Sequence, residues 1–242
     1  MRTLISIIIP TVDEGDIIGD TLAAATGVAG VEIIVVDGGS RDQTREIAAA
    51  RGAARVISSP RGRAVQMNKG AAAARGEILL FLHADCLLPE GFVDHIRSSL
   101  AARHTAAGAF RLAIETPGLS MRILEQLVYW RSNYLQLVYG DQGLFMTAGM
   151  FHAAGGFPEL PIMEDFEFVR RLRRHGRITV LPQEMTTSAR RWQRLGLIRT
   201  TTTNQLIIAA YLLGVDPERL ARWYRKPAAG KNRIKNGRSA RL

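Results

Sequence analysis

Four short apolar runs, each tied to a helix-like stretch, constrain this chain more than any other feature. Residues 4–9, 32–36, 54–57 and 78–82 are rich in β-branched residues or leucine. Runs of this kind mark strands buried on both faces, as in a parallel sheet. Residues 16–25, 43–51 and 63–75 between them read as helices, and Pro89 opens another to Leu100. Strands alternating with helices predict βαβ units. The expected fold class is therefore α/β, with a Rossmann-like, mostly parallel sheet flanked by helices.

The second half reads differently. Residues 107–115 predict a strand, 118–139 an amphipathic helix with several aromatic residues, and 143–147 a short strand. A turn at 155–158 precedes a helix over 164–175 and a strand over 177–181. Residues 195–213 read as an apolar helix interrupted at 200–203, and Asp216-Pro217-Glu218 opens a last helix to Tyr224. The expected division is a main domain over 1–195, a helical C-terminal extension over 196–226 and a basic, disordered tail over 227–242.

Charge and cysteine content limit the partners. The net charge is +10, yet residues 225–242 hold seven basic and no acidic residues, leaving 25 basic against 22 acidic elsewhere. The tail reads either as a solvated terminus or as a contact for anionic lipid head groups. It lacks the interleaved aromatics that stack nucleic-acid bases. The single cysteine, Cys86, excludes an intramolecular disulfide, which fits a reducing cytosol. No lysine or arginine adjoins it in sequence, so it reads as a buried structural thiol. No signal peptide is legible, and the longest apolar stretch, 206–215, is about half the ~20 residues of a spanning helix. Together with the tail, that stretch fits peripheral contact at the inner face of a membrane.

Ligands of open α/β sheets collect at the carboxyl ends of the strands. Here those ends read Pro10-Thr11-Val12-Asp13-Glu14, Asp37-Gly38-Gly39-Ser40-Arg41-Asp42 and His83-Ala84-Asp85. Asp37 follows two valines of a buried strand, where a lone carboxylate is costly and needs a donor, which a ligand could supply. Ser40 and Asp42 stand equally well as helix caps. Arg61 and Arg63 open a helix whose dipole disfavours them, which points to an anionic ligand or to a basic surface turn. His95, His104, His152 and His175 have no metal-ligand spacing. Tyr129, Trp130 and Tyr134 suit stacking on a ligand or packing in a core or interface, and Asp141 suits a ligand contact or a turn.

Residues 7–14, the segment 35–40 with Asp42 and Thr44, and Phe81-Leu82-His83-Ala84-Asp85 resemble the family-2 glycosyltransferases of the GT-A fold. Met163-Glu164-Asp165 resembles that family's Glu-Asp motif, and Arg190-Arg191-Trp192 its following basic-aromatic segment. The resemblance implies a nucleotide site built from Pro10, Thr11, Glu14, Asp37, Gly39, Ser40, Arg61, Arg63, Met67, His83 and Ala84. It implies Mg²⁺ or Mn²⁺ on Asp85, with His83 in place of the family's first aspartate. Asp165, beside Glu164, takes the place of the general base, and Asp141, Gln142, Arg191 and Trp192 that of the acceptor contacts. A narrower resemblance, carried by residues 62–68, 140–143 and 211–215, is to small bacterial members called arsenosugar-biosynthesis or carotenoid-acid glycosyltransferases.

The implied function is metal-dependent, inverting transfer of a sugar from a UDP-linked donor to a hydroxyl of a lipid or small molecule. A homodimer is compatible with the aromatic helix, and nucleic acid is not an expected partner. Two rivals stand beside this reading. A nucleotidyltransferase shares the sheet and the metal but carries a Gly-rich, basic phosphate loop after strand one, where this chain has Pro10–Glu14. A non-catalytic basic protein docking on anionic lipid or nucleic acid explains the tail but leaves Asp37, Asp85 and Asp165 without a role.

Overall fold

A fully buried β-branched strand organises the sheet. In β1 (Ile5–Thr11) every side chain from Ile5 to Ile9 is shielded from water. Such a strand needs neighbours on both edges and cover on both faces. The computed structural model, which describes residues 3–116, 118–190 and 196–225, supplies both. β2 (Val31–Asp37) and β4 (Ile78–Phe81) pair parallel with β1, and β3 (Arg55–Ser58) pairs parallel with β2.

Beyond β4 the sheet changes direction. β7 (Leu144–Thr147) runs antiparallel to β4, and β6 (Thr105–Ile114) antiparallel to β7. β8 (Arg177–Thr187) then pairs parallel with β6, and β5 (Cys86–Leu87) antiparallel with β8. The order is β3-β2-β1-β4-β7-β6-β8-β5. The α/β class holds, and the sheet is mixed, since three of its adjacencies are antiparallel.

The helices are α1 (Gly15–Ala23), α2 (Thr44–Ala50), α3 (Arg63–Ala73), α4 (Phe92–Ala101) and α5 (Leu119–Tyr134), then α6 (Ala148–Ala153), α7 (Glu164–Leu172), α8 (Leu197–Leu212) and α9 (Pro217–Arg225). Strand alternation divides the core in two. Ile5, Ile7 and Ile9 of β1 face Ile18 and Leu22 of α1 and Phe92 and Ile96 of α4. Ile8, Ile34 and Val36 face Ala64, Met67 and Ala71 of α3, with Phe151, Phe157 and Phe168 in the same cluster.

Several boundaries differ from the sequence expectation for local reasons. α8 runs through 200–203 without a break, and Thr200 and Thr202 turn their hydroxyls onto the carbonyls of Gly196 and Arg199, at 2.8 and 3.1 Å. β8 continues past Leu181, absorbing Pro182 and Gln183 as an irregularity where pairing jumps from Phe110↔Leu181 to Arg111↔Glu184. α5 ends at Tyr134, short of Tyr139. α4 begins at Phe92, after left-handed Gly91 (φ 68°), rather than at Pro89. Neither β5 nor α6 was expected; α6 starts from Thr147, whose hydroxyl accepts the Met150 N–H at 3.1 Å. Among the described residues no helix is long and apolar enough to cross a membrane. The expected tail, 227–242, lies outside the described residues.

The seating of α3 rests on small residues. A methyl at Gly70 would overlap Ile8 Cγ2 and press on Val36 Cγ2 at 3.0 Å, both in fully buried side chains. Alanine gains about 1 kcal/mol of helix propensity there, but overpacking costs about 1–3 kcal/mol. We expect Gly70→Ala to be net destabilised, by up to about 2 kcal/mol in urea unfolding; equal or greater stability would show that α3 has slack against the sheet.

Candidate active site

Strand direction explains how distant segments meet. β1, β2 and β4 are parallel, so Glu14, the 37–42 loop and His83–Asp85 leave from one edge. β7 is antiparallel to β4, with Leu144 opposite Phe81, so the 3₁₀ turn Gly140–Gln142 preceding it reaches that edge too. β6 and β8 point the same way as β4, so Arg190, just past β8, also emerges there. α7 leads back toward the start of β8 and therefore begins near this edge, with Glu164 and Asp165 in its first turn.

The loops after β1 and β2 are tied by hydrogen bonds. Asp37, 1 % exposed, accepts the Gly39 N–H at 3.1 Å, the Ser40 N–H at 3.2 Å and the Ser40 hydroxyl. These donors account for its burial, so the donor that the sequence argument required comes from the loop itself. Ser40 Oγ accepts the Asp13 N–H, and Asp13 Oδ1 accepts the Arg41 N–H, at 2.9 and 2.8 Å. Asp42 caps both helices, taking the Gly15 N–H at 2.9 Å and the Thr44 N–H at 3.1 Å; these bonds, with that from the Thr44 hydroxyl, lower its pKa. Buried Gln66 donates its amide to the carbonyls of Thr11 (2.9 Å) and Val36 (2.8 Å), pinning the ends of β1 and β2 together.

Facing these loops is a cluster of carboxylates. Asp165 Oδ2 accepts the Gly140 N–H at 3.1 Å and lies 4.0 Å from Arg63 Nη1, which is 3.6 Å from Glu164 Oε1. Burial, then the charge of Glu164, pushes the Asp165 pKa from 3.8 to about 7 against the pull of Arg63. Desolvation opposes the charge on Arg63, but Asp165, Glu164, Asp141 and Asp85 outweigh it and raise its pKa. Half of the Arg63 side chain is exposed, so water screens part of these attractions. Burial also raises Asp141, whose Oδ1 is buried with no hydrogen-bond partner. Glu14 is raised by burial and is held by Arg190 Nη2 at 3.4 Å; the same nitrogen is 3.7 Å from Asp85 Oδ2.

Backbone conformations fit this crowding. A side chain at Gly140 would begin 2.5 Å from Asp165 Oδ2 and 2.6 Å from His83 Nε2. Met163, immediately before Glu164, is left-handed at φ 72°, and Asp13 at φ 55°.

Donor atoms of His83, Asp85 and Cys86 lie within 4.8 Å of one another. Burial, with the charge of Asp85, holds the Cys86 thiol well above its ordinary pKa, which disfavours the thiolate that binds metals. Asp85 and His83 remain as an oxygen and an imidazole donor. Such a pair fits a divalent cation that takes its other ligands from phosphate and water.

The structure thus brings Glu14, Arg63, His83, Asp85, Asp141, Glu164 and Asp165 together. It places others elsewhere. Met67 is 2 % exposed in the core beneath β1 and β2, because it lies on the inner face of α3. Ala84 is buried and its carbonyl accepts the Thr21 hydroxyl at 2.6 Å. Gln142 is a scaffold residue: its oxygen accepts from Arg131 (3.1 Å) and Ser132 (3.0 Å), and its amide donates to Phe110 O at 3.3 Å. The paradox of arginines at a helix start is resolved within the chain, since Arg63 meets Glu164 and Asp165, while Arg61 is exposed. Trp130 and Tyr134 are 56 % and 72 % exposed on α5, not core. Arg191 and Trp192 lie outside the described residues. Gln66 and Gly140 were missed as organisers; the polar Gln66 among the apolar positions of α3 was the available signal.

Three comparisons bear on the chain. Residues 6–154 match the family described as Glycosyl transferase family 2. No curated protein matches it significantly. Among solved structures, a mannosyltransferase from Pyrobaculum calidifontis in complex with GDP-Man and Mn²⁺ superimposes with a TM-score of 0.65 at 18 % identity, over 92 % of this chain and 69 % of that one. S. aureus TarS 1-349 in complex with UDP gives 0.61 at 19 %, over 76 % and 60 %. Glucosyl-3-phosphoglycerate synthase from Mycobacterium tuberculosis with Mn²⁺, UDP and glucosyl-3-phosphoglycerate gives 0.56 at 22 %, over 77 % and 70 %. At these identities the likeness is one of fold, the mixed sheet flanked by helices of GT-A glycosyltransferases. The chain spans about 60 % of the TarS fragment's length.

The raised Asp165 makes stability depend on pH. A folded pKa above the unfolded one stabilises the protein below about pH 4, and that contribution is lost as pH rises through about 7. Asp165→Asn keeps the shape without the charge. We expect the variant to gain on the order of 2 kcal/mol relative to the parent between about pH 5 and pH 8. Parallel melting profiles for the two proteins would show that this carboxylate is not desolvated.

Proposed function

The chain belongs to glycosyltransferase family 2, and from that premise we propose that it transfers a sugar from a nucleotide-sugar donor, UDP-linked, to an acceptor hydroxyl with inversion at the anomeric carbon. The observation that carries this reading is the environment of Asp165: a desolvated carboxylate, oriented by the Gly140 N–H and placed beside Arg63, with its pKa raised to about 7. A group tuned to that range is suited to accept a proton as a hydroxyl attacks. The structures of similar fold with UDP or GDP-Man and Mn²⁺ support the donor class.

In this reading the paired loops after β1 and β2 hold the nucleoside, with Asp37, Gly39 and Ser40 fixed by the bonds described and Pro10, Thr11 and Glu14 alongside. Asp85, with His83 beside it, would hold Mg²⁺ or Mn²⁺, and the ion would supply charge neutralisation for the departing diphosphate. Arg63 keeps positive charge between the carboxylates and the reacting centre. Asp165 takes the acceptor proton as the bond from the anomeric carbon to the diphosphate breaks and the new glycosidic bond forms on the opposite face. Asp141, with its buried unpartnered oxygen, receives an acceptor hydroxyl.

Two measurements test the parts separately. A nucleotide at 100 times its dissociation constant adds about 2.7 kcal/mol of stability. UDP with Mn²⁺ should produce such a shift, EDTA should remove its metal-dependent share, and Asp85→Ala should lose most of that share. Equal stabilisation with EDTA and with Mn²⁺ in the unmutated protein would defeat the metal assignment.

Turnover tests the base. Asp165→Asn should lower transfer by about 10²-fold or more with donor binding nearly unchanged. Capping is not an available explanation, since the side chain bonds Gly140 rather than an amide of its own helix. Glu164→Gln is the control: loss of turnover there, with Asp165→Asn still active, would reassign the base.

A further inference from the structure

Arg190 enters the site from beyond β8 and directs one nitrogen at carboxylates from two other strand ends. Its Nη2 is 3.4 Å from Glu14 Oε2 and 3.7 Å from Asp85 Oδ2. All three side chains are partly open to water, at 50 %, 33 % and 30 % exposure, so the guanidinium can move without unpacking a core. Arg63, in the first turn of α3, has its ion pairs with Glu164 and Asp165. Among the described residues, Arg190 is therefore the arginine in direct ion-pair range of Asp85.

A carboxylate that binds a metal ion through an oxygen already paired to a guanidinium brings two cations together. Their repulsion, partly screened by water at this exposed site, weakens metal binding. We propose that Arg190 is a positioning residue for the metal site: its guanidinium competes with the divalent cation for Asp85, and so sets how tightly the protein holds metal before a nucleotide arrives. Glu14 is the tether that makes this competition local. It keeps the guanidinium beside Asp85 when the cation takes the oxygen, where an incoming diphosphate gives the displaced charge a new anionic partner. The proposal rests on reading Asp85 as the metal ligand.

The test is direct titration of the full chain with Mn²⁺ alone, following free ion by electron paramagnetic resonance, with no nucleotide present. Parent, Arg190→Gln, Arg190→Lys and Asp85→Ala are compared, with circular dichroism as the check on folding. Arg190→Gln should bind Mn²⁺ about 3- to 10-fold more tightly than the parent, and Arg190→Lys, which keeps the charge, should stay near it. Arg190→Met carries the same forecast should the glutamine variant fail to fold. Unchanged or weaker binding in the neutral variants, with binding lost in Asp85→Ala, would overturn the proposal and leave the metal assignment standing. Parent-like binding by Asp85→Ala would overturn the assignment of Asp85, and the proposal with it.

Discussion

Several carboxylates share a poorly solvated cleft only if positive charge stands among them, and Arg63 provides it from the first turn of α3. Its guanidinium is drawn by Asp165, Glu164, Asp141 and Asp85 together. Its location is a packing outcome. Gly70, Ala64 and Ala71 let α3 lie close against β1 and β2, and Gln66 fastens the helix to the carbonyls of Thr11 and Val36. The same contacts that cover the sheet thereby hold the charge of Arg63 against α7. Without that charge, Glu164 and Asp165 would face each other at close range in a medium that screens them weakly.

The two sides of the cleft differ in how their polar groups are satisfied. On the side of β1 and β2, the carboxylates of Asp13, Asp37 and Asp42 accept backbone N–H groups from neighbouring loops. Such bonds fix loop shape, and at Asp42 they lower the pKa. On the side of Asp141 and Asp165 desolvation dominates, pKa values rise, and Asp141 keeps a buried oxygen without a partner. The first arrangement suits holding a ligand in one pose. The second suits chemistry, since a group whose charge is costly readily changes protonation state.

The first four strands and their helices were legible because burial on both faces leaves a plain apolar run. The residues at the strand ends were legible because carboxylates directly after such runs demand partners. Strand direction beyond β4 was not, since residues 144–147 look alike whichever way the strand lies. Thr200–Thr203 misled because β-branched residues are poor helix formers, and propensity is a weak guide once tertiary packing holds a helix, as it does for buried Thr200 and Ile207 of α8. The family resemblance implied an acceptor contact at Gln142, while its bonds to Arg131, Ser132 and Phe110 were not legible, since only the fold brings these residues near. Arg63 has anionic partners within the chain, which were not legible because Glu164 lies a hundred residues away, while Arg61 is exposed, as a basic surface turn would have it.

The reversal between β4 and β7 also bears on how such an enzyme diversifies. Loops after β1, β2 and β4 come from the N-terminal half, and the turn before β7 and the start of α7 from later in the chain. They meet across the β4–β7 ladder, where Gly140 lies close to His83 and Asp165, and through the ion pairs of Arg63 with Glu164 and Asp165. On the proposed assignment, the segment leading into β7 can drift in length and composition while the nucleotide loops keep their mutual hydrogen bonds. Gly140 is then one point at which the two halves must stay compatible, since a side chain there would collide with Asp165 from one and His83 from the other.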